Sequence, residues 1–151
     1  MKWAAGEPIA EAMGELLCKH RADALLNMLP DVVVPVPLHW RRRWVRKTNS
    51  PDILAARVAS FLQIPCQVRL LRLNRNIAPQ KGLKINERRR NLADAFRVAK
   101  GYDIRGARVL LVDDVLTTGA TCDAAAKVLK TAGATSVAVV VLARTVTETD
   151  G

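Results

Sequence analysis

Asp113 and Asp114 are adjacent carboxylates in the stretch Val109 to Thr121, VLLVDDVLTTGAT, which also holds a glycine and three threonines. Ionised carboxylates only accept hydrogen bonds, so this pair suits vicinal hydroxyls. Thr117, Thr118, Gly119, Ala120 and Thr121 suit a turn that enters a helix: Gly119 lets the backbone approach a ligand, and the N–H groups of a first helical turn favour an anion. A ribose 5-phosphate offers hydroxyls at one end and phosphate at the other, so the block reads as a sugar-phosphate site. The competing reading is an ordinary strand-turn-helix in which aspartates cap and threonines serve the turn. The sequence contains neither G-x-x-x-x-G-K-[ST] nor a dinucleotide-binding glycine fingerprint, which points away from those phosphate sites.

Such a site needs a strand to carry the acids and a helix to receive the phosphate. Val109 to Val112 is expected to be a buried parallel strand with Asp113 and Asp114 at its end, the edge where ligands collect in open α/β sheets. The following helix is expected from about Thr121 to Ala132, ended by Gly133, and a last buried strand spans Val137 to Leu142. Upstream, Ile9, Met13, Leu16, Leu17, Leu25, Met28 and Leu29 recur at helical spacing between Pro8 and Pro30, which predicts one helix there with these residues as its apolar face. Val32 to Val36 reads as a short strand. Ser50, Pro51 and Asp52 supply a cap, a first-turn proline and an acid for a helix reaching Leu62. Strands are also expected at about 67–71 and 95–98. Residues 72–91 lack periodicity and contain Pro79, Gly82 and many bases, so they read as a long mobile loop. The alternation of strands and helices predicts an α/β fold, a mostly parallel sheet with helices on both faces, in a single domain over residues 1–151.

At 151 residues, half of them apolar, the chain has enough material for one core. No stretch approaches a membrane span and the start does not look like a signal peptide, so a cytoplasmic protein is expected. Cys18, Cys66 and Cys122 are odd in number and widely spaced, which predicts reduced, buried thiols and no protein metal site. Residues 39–105 carry seventeen Lys/Arg against four Asp/Glu, while the rest of the chain is net acidic. A bias of that size attracts polyanions, either pyrophosphate or nucleic acid. Trp40 and Trp44 interleave with Arg41, Arg42, Arg43 and Arg46. That composition suits single-stranded nucleic acid, and suits equally tryptophans packed on a neighbour with arginines snorkelling beside them.

The block at 109–121 resembles the phosphoribosyl pyrophosphate (PRPP) signature of type I phosphoribosyltransferases: apolar strand, two acids, two variable residues, then T-T-G-x-T. Together with VVVPVPLHWRRR at 32–43, APQKGLKINERRRNLADAF at 78–96 and LAR at 142–144, the chain resembles the ComF family of competence-associated phosphoribosyltransferase-like proteins over nearly its whole length. Its start, KWAAGEPIAEAMGELL, is similar to the region after that family's amino-terminal zinc ribbon, whose cysteines are missing from this sequence.

The resemblance implies a type I phosphoribosyltransferase-like fold that binds PRPP or ribose 5-phosphate, with magnesium held mainly through PRPP. It implies that Asp113 and Asp114 contact the ribose hydroxyls, that Thr117 to Thr121 hold the 5′-phosphate, and that Val36, Pro37 and Leu38, with His39 beside them, form the pyrophosphate loop. His39 reads as structural or anion-contacting before it reads as a base. Gln80, Arg88, Arg89 and Asn91 match family positions in the long loop; Asp113, Arg88 and Arg89 are the residues expected to act in catalysis. Relatives carry R-G-F-N-Q where this chain has Arg46, Lys47, Thr48, Asn49 and Ser50, so the acceptor stays open, as does the oligomeric state. Two functions follow. One is phosphoribosyl transfer from PRPP to an unknown acceptor, linked to DNA uptake. The other is a non-catalytic module that binds ribose phosphate or single-stranded DNA, through Trp40 to Trp44, or a competence protein.

Overall fold

The computed structural model describes residues 6–37, 50–74, 92, 94–116 and 119–145. The first helix, α1, spans Glu7–His20, with Pro8 in the first turn where its missing N–H costs nothing. The single helix expected as far as Leu29 is instead two. The chain breaks at Arg21 (φ −121°, ψ 19°) and resumes as α2, Ala22–Asn27, which turns Leu25 into the core at 1% exposure. Strand β1, Val32–Pro35, follows Pro30 and is buried at every position. Helix α3, Ser50–Leu62, begins at the expected Ser-Pro-Asp.

The strand expected at 67–71 is displaced. Val33 exchanges hydrogen bonds with the chain around Cys66, donating to Pro65 and accepting from Gln67, both at 2.9 Å. This isolated parallel bridge ends at once because residues 68–70 turn. The chain then forms β2, Leu71–Leu73, which pairs antiparallel with β3, Phe96–Val98, in a separate two-stranded sheet. Arg72 and Leu73 therefore belong to a strand, not to the long loop, of which residues 75–91 lie outside the described residues.

Strand β4, Arg108–Leu116, helix α4, Ala120–Thr131, and strand β5, Ser136–Arg144, complete the fold. The main sheet is parallel, in the order β1-β4-β5. Side chains alternate across β4, so its two faces serve two cores. Val109 and Leu111 pack with Ala125 and Leu129 of α4, whereas Leu110 and Val112 pack with Leu54, Ala55 and Val58 of α3 and Cys18 of α1. Helices thus cover both faces, as the sequence predicts. Gly133 ends α4 at φ +105°, a conformation that favours glycine. At the amino-terminal edge, Arg108 bonds the Asp31 carboxylate through its backbone N–H at 2.7 Å and through its guanidinium at 2.9 Å.

Candidate functional site

The topology creates a crevice between β1 and β4. From β1 the chain passes through α3 on one face to the bridge at Cys66; from β4 it passes through α4 on the other face to β5. Successive connections leave in opposite directions, which is the switch point where open α/β sheets bind ligands beyond the carboxyl ends of their strands. The last β1 partner of β4 is Pro35, opposite Val112, and the Val36 N–H donates to the Val112 carbonyl at 2.8 Å. Past that bond the β1 chain departs and β4 continues, paired with β5 through Leu116.

Asp113 and Asp114 occupy the first two positions past the split. They were expected at the end of a four-residue strand, but β4 runs on to Leu116 because β5 keeps pairing with it. Both acids are buried, at 8% and 6% exposure. Alternation sends them to opposite faces: Asp113 follows Leu111 towards α4, and Asp114 follows Val112 towards α3. One Asp113 oxygen accepts the Asp114 backbone N–H at 2.8 Å, and the other lies 3.8 Å from the Cys122 thiol. Asp114 accepts the Val115 N–H at 2.8 Å. Burial raises the Asp113 carboxyl above its ordinary range, to about 6, because desolvation disfavours the charged form.

Gly119 precedes α4 at φ +77° and supplies no side-chain cap. A Cβ there would meet nothing closer than the Leu116 side chain at 3.8 Å, so the positive φ, rather than crowding, is what favours glycine. Its carbonyl accepts the Asp123 N–H at 2.9 Å, which starts the helix; Ala120 and Thr121 are exposed at its mouth. The structure therefore gathers Val36, Pro37, Asp113, Asp114, Gly119, Ala120 and Thr121 around the carboxyl end of β4. Leu38, Trp40, Arg41, Arg42, Arg43, Trp44, Arg88, Arg89, Thr117 and Thr118 lie outside the described residues, as do His39, Gln80 and Asn91. The sequence predicts Cys122 as a reduced, buried thiol, which it is, but does not show its contact with Asp113. The available signal was its place in the first turn of the helix, on the side facing the strand that carries the acids.

Among the described residues no group of three or more His, Cys, Asp or Glu is placed to hold a metal, and no helix is long and apolar enough to cross a membrane. The three cysteines are unpaired; Cys18 and Cys122 are buried and Cys66 is half-buried.

An open α/β sheet with acids and a glycine-led helix at its switch point has known counterparts. Residues 53–150 match the phosphoribosyl transferase domain, and the chain belongs to that family. Within it, the chain is 37% identical to Competence protein F of Haemophilus influenzae over 77% of its own length and 51% of that protein. It is 34% identical to DNA utilization protein YhgH of Escherichia coli strain K12 over 96% of its length and 64% of that protein. These relatives bear out the ComF resemblance, and the chain spans only about half to two-thirds of their length. Among solved structures, the glutamine PRPP amidotransferase of B. subtilis, complexed with ADP and GMP, superposes with a TM-score of 0.60 at 25% identity. That match covers 88% of this chain and 26% of the other.

Proposed function

We propose that this protein binds PRPP at the carboxyl end of β4 and transfers its phosphoribosyl group to an acceptor in the handling of DNA. The observation that carries the reading is the coincidence of Asp113, Asp114 and the Gly119-led helix with the β1/β4 switch point. The 5′-phosphate sits against the first turn of α4, whose dipole and N–H groups favour an anion. The ribose lies over the end of β4, with Asp113 approaching from the α4 side and Asp114 from the α3 side. The diphosphate lies towards Val36 and Pro37, where β1 leaves the sheet.

In the transfer, the bond from the anomeric carbon to the diphosphate oxygen breaks and the electron pair leaves with pyrophosphate. The acceptor forms a new bond on the opposite face and loses its proton. Positive charge grows on the sugar and negative charge on the diphosphate. Ionised Asp113 offsets the first, and Arg88 and Arg89 are the residues assigned to offset the second. No covalent enzyme intermediate is required. Magnesium would be held mainly by the oxygens PRPP itself brings, not by a protein cluster among the described residues, and would offset negative charge on the leaving diphosphate. With its cysteines unpaired, the reading assumes a reducing cytoplasm.

The names of the relatives and the basic, tryptophan-bearing segment at 40–47 favour a second reading, in which the domain keeps ribose-phosphate affinity but works as a single-stranded DNA module. Thermal melting with PRPP and magnesium, set beside titration of a labelled oligonucleotide at several salt concentrations, separates the two. The first reading expects a rise in melting temperature of several degrees with PRPP, largely lost in Asp113→Asn. Because the second reading also keeps ribose-phosphate affinity, salt-sensitive oligonucleotide binding with no pyrophosphate released from PRPP would leave the second, and absence of any shift would overturn both.

A further inference from the structure

We propose that Cys122 is a positioning residue for Asp113: its thiol holds one carboxylate oxygen and thereby ties the ribose end of the site to the phosphate end. The proposal rests on reading Asp113 as a ribose-facing carboxylate, but the contact exists without any ligand. Cys122 lies three residues beyond Gly119, in the first turn of α4, and is buried at 4% exposure. Its Sγ is 3.8 Å from Asp113 Oδ2, while Asp113 Oδ1 accepts the Asp114 N–H. One carboxylate oxygen therefore has a backbone partner from the strand and the other a thiol partner from the helix, with the Asp114 side chain as a further neighbour. Those two bonds fix the plane of the carboxylate and leave its remaining lone pairs as the ones a ribose hydroxyl can reach.

The chemistry at this contact runs one way. Burial and the neighbouring Asp113 push the Cys122 thiol up to about 11, so near neutral pH it keeps its proton and acts as the donor. A thiol is a weak donor in water, but in a desolvated setting its bond to a carboxylate counts for more. Burial raises the Asp113 carboxyl and the Asp114 side chain adds to the rise, while the Asp114 N–H and the Cys122 thiol favour the ionised form. Asp114 and Cys122 are the titratable neighbours acting on Asp113 among the described residues. Losing the thiol removes a bond to the charged form, so the protonated form of Asp113 extends closer to neutral pH. The ribose would then meet a carboxyl that is partly protonated and free to rotate.

The decisive measurement is an NMR titration of the Asp113 side-chain carboxyl carbon in the full chain without ligand, for wild type, Cys122→Val and Cys122→Ser. Valine fills the space without a donor; serine restores one. The expected result is a midpoint raised by roughly half a pH unit or more in Cys122→Val and brought back towards wild type in Cys122→Ser. If Cys122→Val fails to fold, Cys122→Ala is read in its place. An unchanged midpoint in the donor-less variant overturns the proposal, and so does an equal rise in the valine and serine variants, which would make packing the cause. Ribose 5-phosphate titrated in parallel at pH 7 should bind about threefold more weakly to Cys122→Val, with serine restoring it. If wild type does not bind ribose 5-phosphate, the proposed function fails while the carboxyl titration still decides whether Cys122 positions Asp113.

Discussion

The two faces of β4 solve the same packing problem with different materials. On the α4 face the strand presents Val109 and Leu111 to Ala125 and Leu129, and the same face then carries Asp113 into the crevice. On the other face α1 and α3 meet through small residues. Ala10, Gly14 and Cys18, four apart along α1, are its buried positions, and a Cβ on Gly14 would lie 3.1 Å from the Cβ of Arg57 and 3.6 Å from Leu54. Leu17 alone of the large apolar residues of α1 packs against this core, while Ile9 is 66% exposed, Leu16 49% and Met13 40%. Both strand faces are thus filled by side-chain volume, but the α1–α3 seam behind the second is set by its absence. Only the first kind of packing announces itself in a hydrophobic pattern.

Filling the small-residue seam should produce the largest stability effect. Gly14→Leu should destabilise the fold by about 2 kcal/mol, the usual cost of forcing extra methylenes into a packed contact. Chemical denaturation of the variant against wild type checks this. A change below about 0.5 kcal/mol would show that α1 shifts on α3 freely, and that the close approach at Gly14 does not hold the pair together.

This contrast explains which parts of the fold were legible. The start of the signature strand and both ends of α4 are legible within a residue because a β-branched run, a glycine-led turn and a glycine stop each have a local cause, whereas the strand's far end at Leu116 is not. The α1 surface was misread because periodicity weighs size, and a helix that needs close approach buries alanine, glycine and cysteine instead. The break at Arg21 was illegible for a related reason: no proline or glycine marks it, and the burial of Leu25 by α2 is a tertiary requirement. The strand expected at 67–71 failed because its pairing partner is β3, about 25 residues further along the chain, and no local pattern records register. In the site, the residue types of Asp113 and Asp114 were legible, but their opposite orientations follow from β4 running on to Leu116, which β5 decides.

The second prediction concerns the acid on the volume-packed face. The Asp113 carboxyl is raised in the folded state to about 6, so the folded protein holds that proton more tightly than the unfolded chain. Its contribution to stability is therefore greatest below the unfolded value near 4, declines as pH rises towards about 6, and stays reduced above that. Asp113→Asn removes the charge and keeps an acceptor for the Asp114 N–H. The variant should be more stable than wild type at pH 7 by about 1–2 kcal/mol, with little difference at pH 4. Denaturation midpoints at the two pH values test it. Stabilisation at pH 7 together with lost PRPP binding would mark Asp113 as a residue whose function costs stability.

A smaller effect is expected at the amino-terminal edge, where exposed charges replace packing. Arg108 holds the Asp31 carboxyl down to about 2 through two kinds of hydrogen bond. A depressed acid contributes stability that is present above its unfolded value and is lost as pH falls towards about 2. Asp31→Asn should therefore be slightly less stable than wild type at neutral pH, the loss being small since both partners face solvent, and should converge on wild type as pH falls towards about 2. A variant whose acid limb superposes on that of wild type would remove this pair from the pH response.

The smallest effect should come from the residues that look most like a core in the sequence. Ile9, Met13 and Leu16 share one flank of α1, and the stripe Ala10, Gly14 and Cys18 that packs inward lies on another. Glu15, paired with Arg57 of α3, marks the flank nearest that helix. Replacing Ile9, Met13 and Leu16 one at a time by glutamine, which keeps length and helix propensity, removes little buried apolar area. Each change should move stability by no more than about 0.5 kcal/mol, against about 2 kcal/mol for the Gly14 substitution one residue away from Met13. The measurement is the same denaturation series. If the glutamine variants lose as much as Gly14→Leu, the apolar flank is packed in solution against something, and α1 has two buried faces; if they do not, the small residues with Leu17 seat it.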